Sequence, residues 1–146
     1  MPTIRNLAVG LPVRDGYVLV SDATDSMKGE VFHRALGGGI EFGETADTAV
    51  RREFAEELGV TLTTVQLLGV MENIFHYDGE PGHEIVHVFA VQSDEIDAIP
   101  LDATLRVLDE GSPVGWRRLD RLDRPLYPAG VEDLLRPLGE ASALTR

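Results

Sequence analysis

The segment from Thr45 to Gly59, TADTAVRREFAEELG, constrains the fold more than any other stretch of the chain. Thr45 offers a side-chain oxygen to the free amides of a first helical turn, and Gly59 supplies the stop after a last one. Between them Ala46, Ala49, Val50, Phe54 and Leu58 recur at helical spacing, making one apolar stripe that another layer must cover. The flanks read as strands. One is expected over Ile4 to Val13, and the Asp15-Gly16 turn leads into a second, Tyr17 to Ser21. Val31 to Leu36 is a short apolar stretch entering a glycine-rich turn at Gly37, Gly38 and Gly39. Further β-rich runs lie at Leu62 to Val70 and Glu84 to Gln92, separated by the turn-forming DGEPG, with a short strand at Trp116 to Leu119. A final short helix is predicted from Ala129 to Arg136, stopping before Pro137, with Val131, Leu134 and Leu135 on its core face. One strong helix among many strands predicts an α/β (α+β) fold around a mixed sheet.

With 146 residues, 43% of them hydrophobic, the chain suits one domain spanning residues 1–146. It contains no cysteine, which excludes disulfides and thiolate metal sites and makes a reducing cytoplasm the default location. No run approaches the length of a membrane span, and MPTIRNL lacks a signal-peptide profile. The net charge of −12 repels nucleic-acid polymers and anionic membranes alike. It leaves room for a small anionic substrate held through divalent cations.

Two metal chemistries compete. HEIVH, from His83 to His87, matches the H-E-x-x-H pattern of zinc peptidases. That chemistry needs both histidines one helical turn apart on one ion. Pro81-Gly82 precedes the motif, and Ile85, Val86, Val88, Phe89 and Val91 favour a strand. In a strand the two histidines share a side but stand roughly 13 Å apart. That geometry disfavours the peptidase reading. On the helix, by contrast, Glu53, Glu56 and Glu57 lie at i, i+3 and i+4 and share a face. Their mutual repulsion is relieved in part by Arg52, four residues before Glu56, and a hard cation such as Mg²⁺ or Mn²⁺ would relieve the rest. Taken alone, the three glutamates are equally compatible with a solvated acidic helix face.

The wider segment GGIEFGETADTAVRREFAEELGV, Gly38 to Val60, resembles the Nudix box, G-x5-E-x7-R-E-U-x-E-E-x-G-U, with U a bulky apolar residue. Gly38, Glu44, Arg52, Glu53, Glu56, Glu57 and Gly59 fill every fixed position, and Phe54 and Val60 the apolar ones. At average residue usage, seven such matches arise by chance with a probability on the order of 10⁻⁸ per starting point. The resemblance implies a Nudix-like α/β/α sandwich around a mixed sheet. It also implies Mg²⁺- or Mn²⁺-dependent hydrolysis of a nucleoside diphosphate linked to another group, water attacking phosphorus. On the same basis Glu56 and Glu57 are metal ligands, Glu53 a ligand or general base, and Arg52 the group that orients Glu53 or Glu56. Glu44 pairs with an arginine, and the Gly37 carbonyl completes the metal shell. A homodimer is compatible with that family.

Outside the box, Glu110 in DEGSPVGW resembles the later loop glutamate that family members use as a ligand or base. An ordinary loop acid would look the same. Glu84 is its rival, since it alternates with Val86 and Val88 at a sheet rim or in a pocket. Arg34 is placed to meet a substrate phosphate, unless it is an exposed strand arginine. Phe75 and Tyr77 are candidates for stacking on a base, with core packing as the ordinary alternative. His76 and His83 are candidates for contact with phosphate or ribose, with a surface histidine as the ordinary alternative. Two rivals share the fold. A sensor that binds a nucleotide without cleaving it would not need the full set of glutamates, and isopentenyl diphosphate isomerase chemistry relies on a cysteine that this chain lacks.

Overall fold

In the computed structural model, which describes residues 2–144 and side chains as far as residue 138, the strand-forming N-terminal half builds the centre of a mixed sheet. Strand β1 (Ile4–Arg14) runs parallel to β6 (Glu80–Gln92) on one side and antiparallel to β4 (Leu36–Gly39) on the other. A two-residue turn at Asp15-Gly16, both with positive φ, joins it to β2 (Tyr17–Asp25). The path β5-β6-β1-β2-β3-β9 is completed by β5 (Thr64–Tyr77), β3 (Glu30–Arg34) and β9 (Leu126–Tyr127). Strand β8 (Pro113–Arg118) pairs with β2 and carries β7 (Thr104–Arg106) beside it.

Adjacent residues of β1 point to opposite faces, and each face has its own core. Ala8 packs with Ala49, Val50, Phe54, Phe89 and Trp116 under helix α1 (Ala46–Leu58). Val9 packs with Val86, Val88, Leu126, Val131 and Leu135 under helix α3 (Val131–Leu144). The short α2 (Asp94–Asp97) contributes Ile96 to the first core. The predicted helix α1 is present with its caps: Thr45 accepts from the Thr48 amide, and Gly59 ends it in the left-handed conformation. Among the described residues no helix is long and apolar enough to cross a membrane.

Four expectations are corrected. The strands outrun their predicted limits, because only Asp78-Gly79 of DGEPG forms the turn; Glu80, Pro81 and Gly82 belong to β6. Pro81 precedes His83, the first β6 residue paired with β1, so its missing amide falls outside that ladder. Gly37 to Gly39 form strand β4 against β1 instead of a turn. Helix α3 begins later than predicted, at Val131, and does not stop at Pro137; Leu138 packs on the same core as Val131, Leu134 and Leu135, so burial outweighs the lost hydrogen bond.

Phe54 is 0% exposed at the centre of the α1 core, whereas Ile74 on β5 is 77% exposed. Urea denaturation is expected to show Phe54→Ala destabilised by about 3–5 kcal/mol and Ile74→Ala within about 0.5 kcal/mol of wild type. Equal losses would contradict this core.

Candidate active site

Helical spacing places Arg52, Glu53, Glu56 and Glu57 along one side of α1, next to the glycines of β4. The Arg52 guanidinium organises them. Its Nε and Nη2 donate to the two oxygens of Glu44 at 2.8 and 2.9 Å, and Nη2 also donates to the Gly39 carbonyl at 3.0 Å. Its Nη1 donates to Glu53 at 3.0 Å and reaches both Glu56 oxygens at 3.4 Å. This pairing holds the Glu44 carboxyl at about 2 and raises the arginine's own pKa.

The glycines make the approach possible. A Cβ on Gly38 would lie 2.6 Å from the Glu53 carboxylate, so the helix carboxylate sits where any side chain would collide. Gly37 has φ +146, and a Cβ there would lie 2.2 Å from the Ala8 carbonyl oxygen. Its amide donates to the Glu57 carboxylate. Glu57 nevertheless keeps one buried oxygen, Oε1, with no hydrogen-bond partner. Burial first, then the negative charges of Glu53 and Asp109, push its pKa to about 8. Burial likewise raises the pKa of Glu53, against the opposing effect of Arg52.

Asp109 is a site residue that the sequence reading missed. The Leu108 amide donates to the Glu57 backbone carbonyl at 2.8 Å, fastening the loop after β7 to the end of α1. That contact brings Asp109 into the field of both Glu53 and Glu57. Its neighbour Glu110 faces Arg34 instead, at 3.8 Å. The one signal in the sequence was the adjacency of Asp109 to Glu110. Arg34 also acts on the charges of Glu57 and Glu84, so it stands between the acidic helix and β6. Glu84 lies on the α3 face with Val86 and Val88; burial raises its pKa, which Arg5 and Arg34 counter. Phe75 shares that face, its ring lying against Gly82, where a Cβ would be 2.5 Å away. Tyr77 is occupied elsewhere, donating to the Thr24 carbonyl and packing on Phe32.

HEIVH lies in strand β6, where its histidines pair in register with Ile4 and Ala8 of β1. His83 meets Glu72 at 2.8 Å, while His87 lines a separate pocket with Asn6, Ile40 and Phe42 on the α1 face. The two share no partner, and the zinc-helix geometry is absent.

Among the described residues no three acidic or histidine side chains converge on one point in this geometry. The donor chemistry still fits a hard divalent cation: carboxylate oxygens crowd one helical face, and the buried Glu57 oxygen is unpartnered. The NUDIX domain family model matches residues 4–136. The chain belongs to the Nudix family. Nudix hydrolases act on pyrophosphate-type bonds, and this chain is an enzyme of that class. An oxidized purine nucleoside triphosphate hydrolase from Danio rerio is 30% identical over 139 residues, covering 92% of this chain and 78% of the relative. A MutT NUDIX hydrolase from Burkholderia pseudomallei superposes with a TM-score of 0.66 at 27% identity, covering 90% of this chain and 96% of that one. The E. coli ORF135 protein, with a TM-score of 0.59 at 20% identity and coverage of 96% and 94%, shares the fold.

The Glu57 carboxyl of this Nudix box carries a pH signature. A group whose pKa rises on folding, here from 4.5 to about 8, binds its proton more tightly in the folded state. Its stabilising contribution is full below the unfolded value and is lost as pH climbs through the folded one. With chelator present, Tm is expected to fall between pH 5 and 8, and Glu57→Gln to flatten that slope. A wild-type Tm that rises over the same range would contradict the burial of Glu57.

Proposed function

We propose that this Nudix hydrolase cleaves a nucleoside diphosphate derivative, a nucleoside triphosphate foremost, by attack of water on phosphorus in the anhydride link. The observation that carries this reading is the acidic face of α1, braced by Arg52 and left with a buried, unpartnered oxygen on Glu57. Glu56, Glu57 and Glu53 would hold Mg²⁺ or Mn²⁺, with the Gly37 carbonyl as a further oxygen donor; Glu110 would join them only by leaving Arg34. When bound, such an ion neutralises phosphate charge and lowers the pKa of a coordinated water.

The chain's own residues supply the rest. Glu53, whose pKa burial raises, is suited to accept the proton of the attacking water. Arg52 fixes the direction of Glu53 and Glu56, and Glu44 fixes Arg52. The Arg34 guanidinium donates no hydrogen bond among the described residues and only faces Glu110 at 3.8 Å, so its donors are available to a phosphate oxygen. Glu84 and Phe75 face the nucleoside. The relative named for oxidized purine nucleoside triphosphates supports a triphosphate of this kind. A net charge of −12 favours a small substrate over a nucleic-acid polymer.

The test is a Mg²⁺-dependent hydrolysis screen of nucleoside triphosphates and other diphosphate compounds. The wild type is expected to turn over at least one, and Glu57→Gln to lose about 10²–10³-fold in kcat. Equal turnover by both proteins would remove Glu57 from the reaction. Nucleotide binding without turnover by the wild type would reassign the chain to a sensor role.

A further inference from the structure

Glu84, placed above at the nucleoside, stands beside Arg5, and neither takes part in the attack on phosphorus. They are register partners on β6 and β1, with Arg5 Nη1 3.6 Å from Glu84 Oε2, longer than a hydrogen bond. The Glu84 side chain is 19% exposed and that of Arg5 61%. Neither makes a hydrogen bond through its side chain to any described residue. The face they stand on continues through the apolar Leu7 and Val9 on β1 and Val86 and Val88 on β6, with Asn73 of β5 as the other register partner of Glu84. A partly buried carboxylate without a hydrogen bond is costly, and among the described residues the charges that offset this one are those of Arg5 and Arg34. Beside it, Phe75 presents a flat ring, on the strand neighbour of the Glu84 segment. Arg34 connects this place to the acidic helix, since its charge acts on both Glu57 and Glu84.

Resting on the hydrolase reading above, we infer that Glu84 and Arg5 read the base of the substrate and select a guanine-type edge. The ionised carboxylate only accepts hydrogen bonds, so it matches a base with two adjacent N–H donors. Guanine has that pair at N1 and its 2-amino group, and beside them the O6 acceptor, which suits a guanidinium. Adenine and cytosine place a ring acceptor against the carboxylate, and uracil and thymine flank their one ring N–H with carbonyls. Each of these leaves Glu84 facing a lone pair. Oxidation at C8 does not touch the guanine edge in question, so an oxidised guanine is read in the same way. Phe75 supplies the stacking surface, which is indifferent to base identity.

The experiment measures kcat/KM for GTP, ATP, ITP and XTP with the wild type and with Glu84→Gln. The wild type is expected to favour GTP over ATP by about tenfold or more, with ITP, which lacks the 2-amino group, below GTP. Glutamine offers one acceptor and one donor, which match the N1–H and C2 carbonyl of xanthine. Glu84→Gln should therefore lose GTP and gain XTP, and its XTP turnover shows that the variant is folded. Equal use of GTP and ATP by the wild type, or an unchanged GTP-to-XTP ratio in Glu84→Gln, overturns the inference and leaves the hydrolase reading standing. Hydrolysis of none of the four by the wild type also overturns the inference, while the hydrolase reading falls only if the wider screen of diphosphate compounds shows no turnover.

Discussion

Arg52 donates two hydrogen bonds to Glu44 and a third to the Gly39 carbonyl, and the acidic site is arranged around that anchor. A guanidinium used in this way has fixed direction, because the paired bonds to one carboxylate leave it no freedom to rotate. Its remaining nitrogen then meets Glu53 and Glu56 at set positions. Without it, three carboxylates at i, i+3 and i+4 would repel one another into whatever directions water allowed. With it, the repulsion concentrates on Glu57, which is buried, near Glu53 and Asp109, and beyond the reach of the arginine.

The fold serves this arrangement by bringing a helix unusually close to a strand. Gly38 gives the Glu53 carboxylate the space that a side chain would occupy, and Gly37 approaches the backbone of β1 at a φ that favours glycine. The parallel pairing of β1 with β6 then places Arg5 beside Glu84 on the opposite face. Arg34, at the end of β3, lies within electrostatic reach of both the acidic helix and Glu84. The two cores, under α1 and under α3, hold these elements rigidly enough for the charges to keep their places.

Much of this was legible in the sequence where the cause was local. The caps at Thr45 and Gly59, the apolar stripe through Phe54 and the shared face of the glutamates all follow from helical period. The Nudix box is equally local, which is why the family could be read before any fold was known. What failed to show depended on distant partners. Asp109 joins the site only because the Leu108 amide finds the end of α1, a contact between residues far apart in sequence. The glycines read as a turn became a strand because β1 offered them a ladder. Pro137 marked a helix end by its own chemistry, yet Leu138 packs against the core beyond it. Likewise Glu84 showed an acid on an apolar strand face, but not that Arg5 would stand beside it.

The central proposal is that the face built from Glu53, Glu56 and Glu57 would hold a divalent cation, with Glu57 giving up a proton to it. Calorimetric titration of Mn²⁺ at pH 7, in two buffers of different ionisation heat, tests it most directly. The wild type should bind with proton release, seen as a heat that depends on the buffer, and Glu57→Gln should bind more weakly with that release diminished. Absence of binding, or the same proton release from both proteins, would contradict the account.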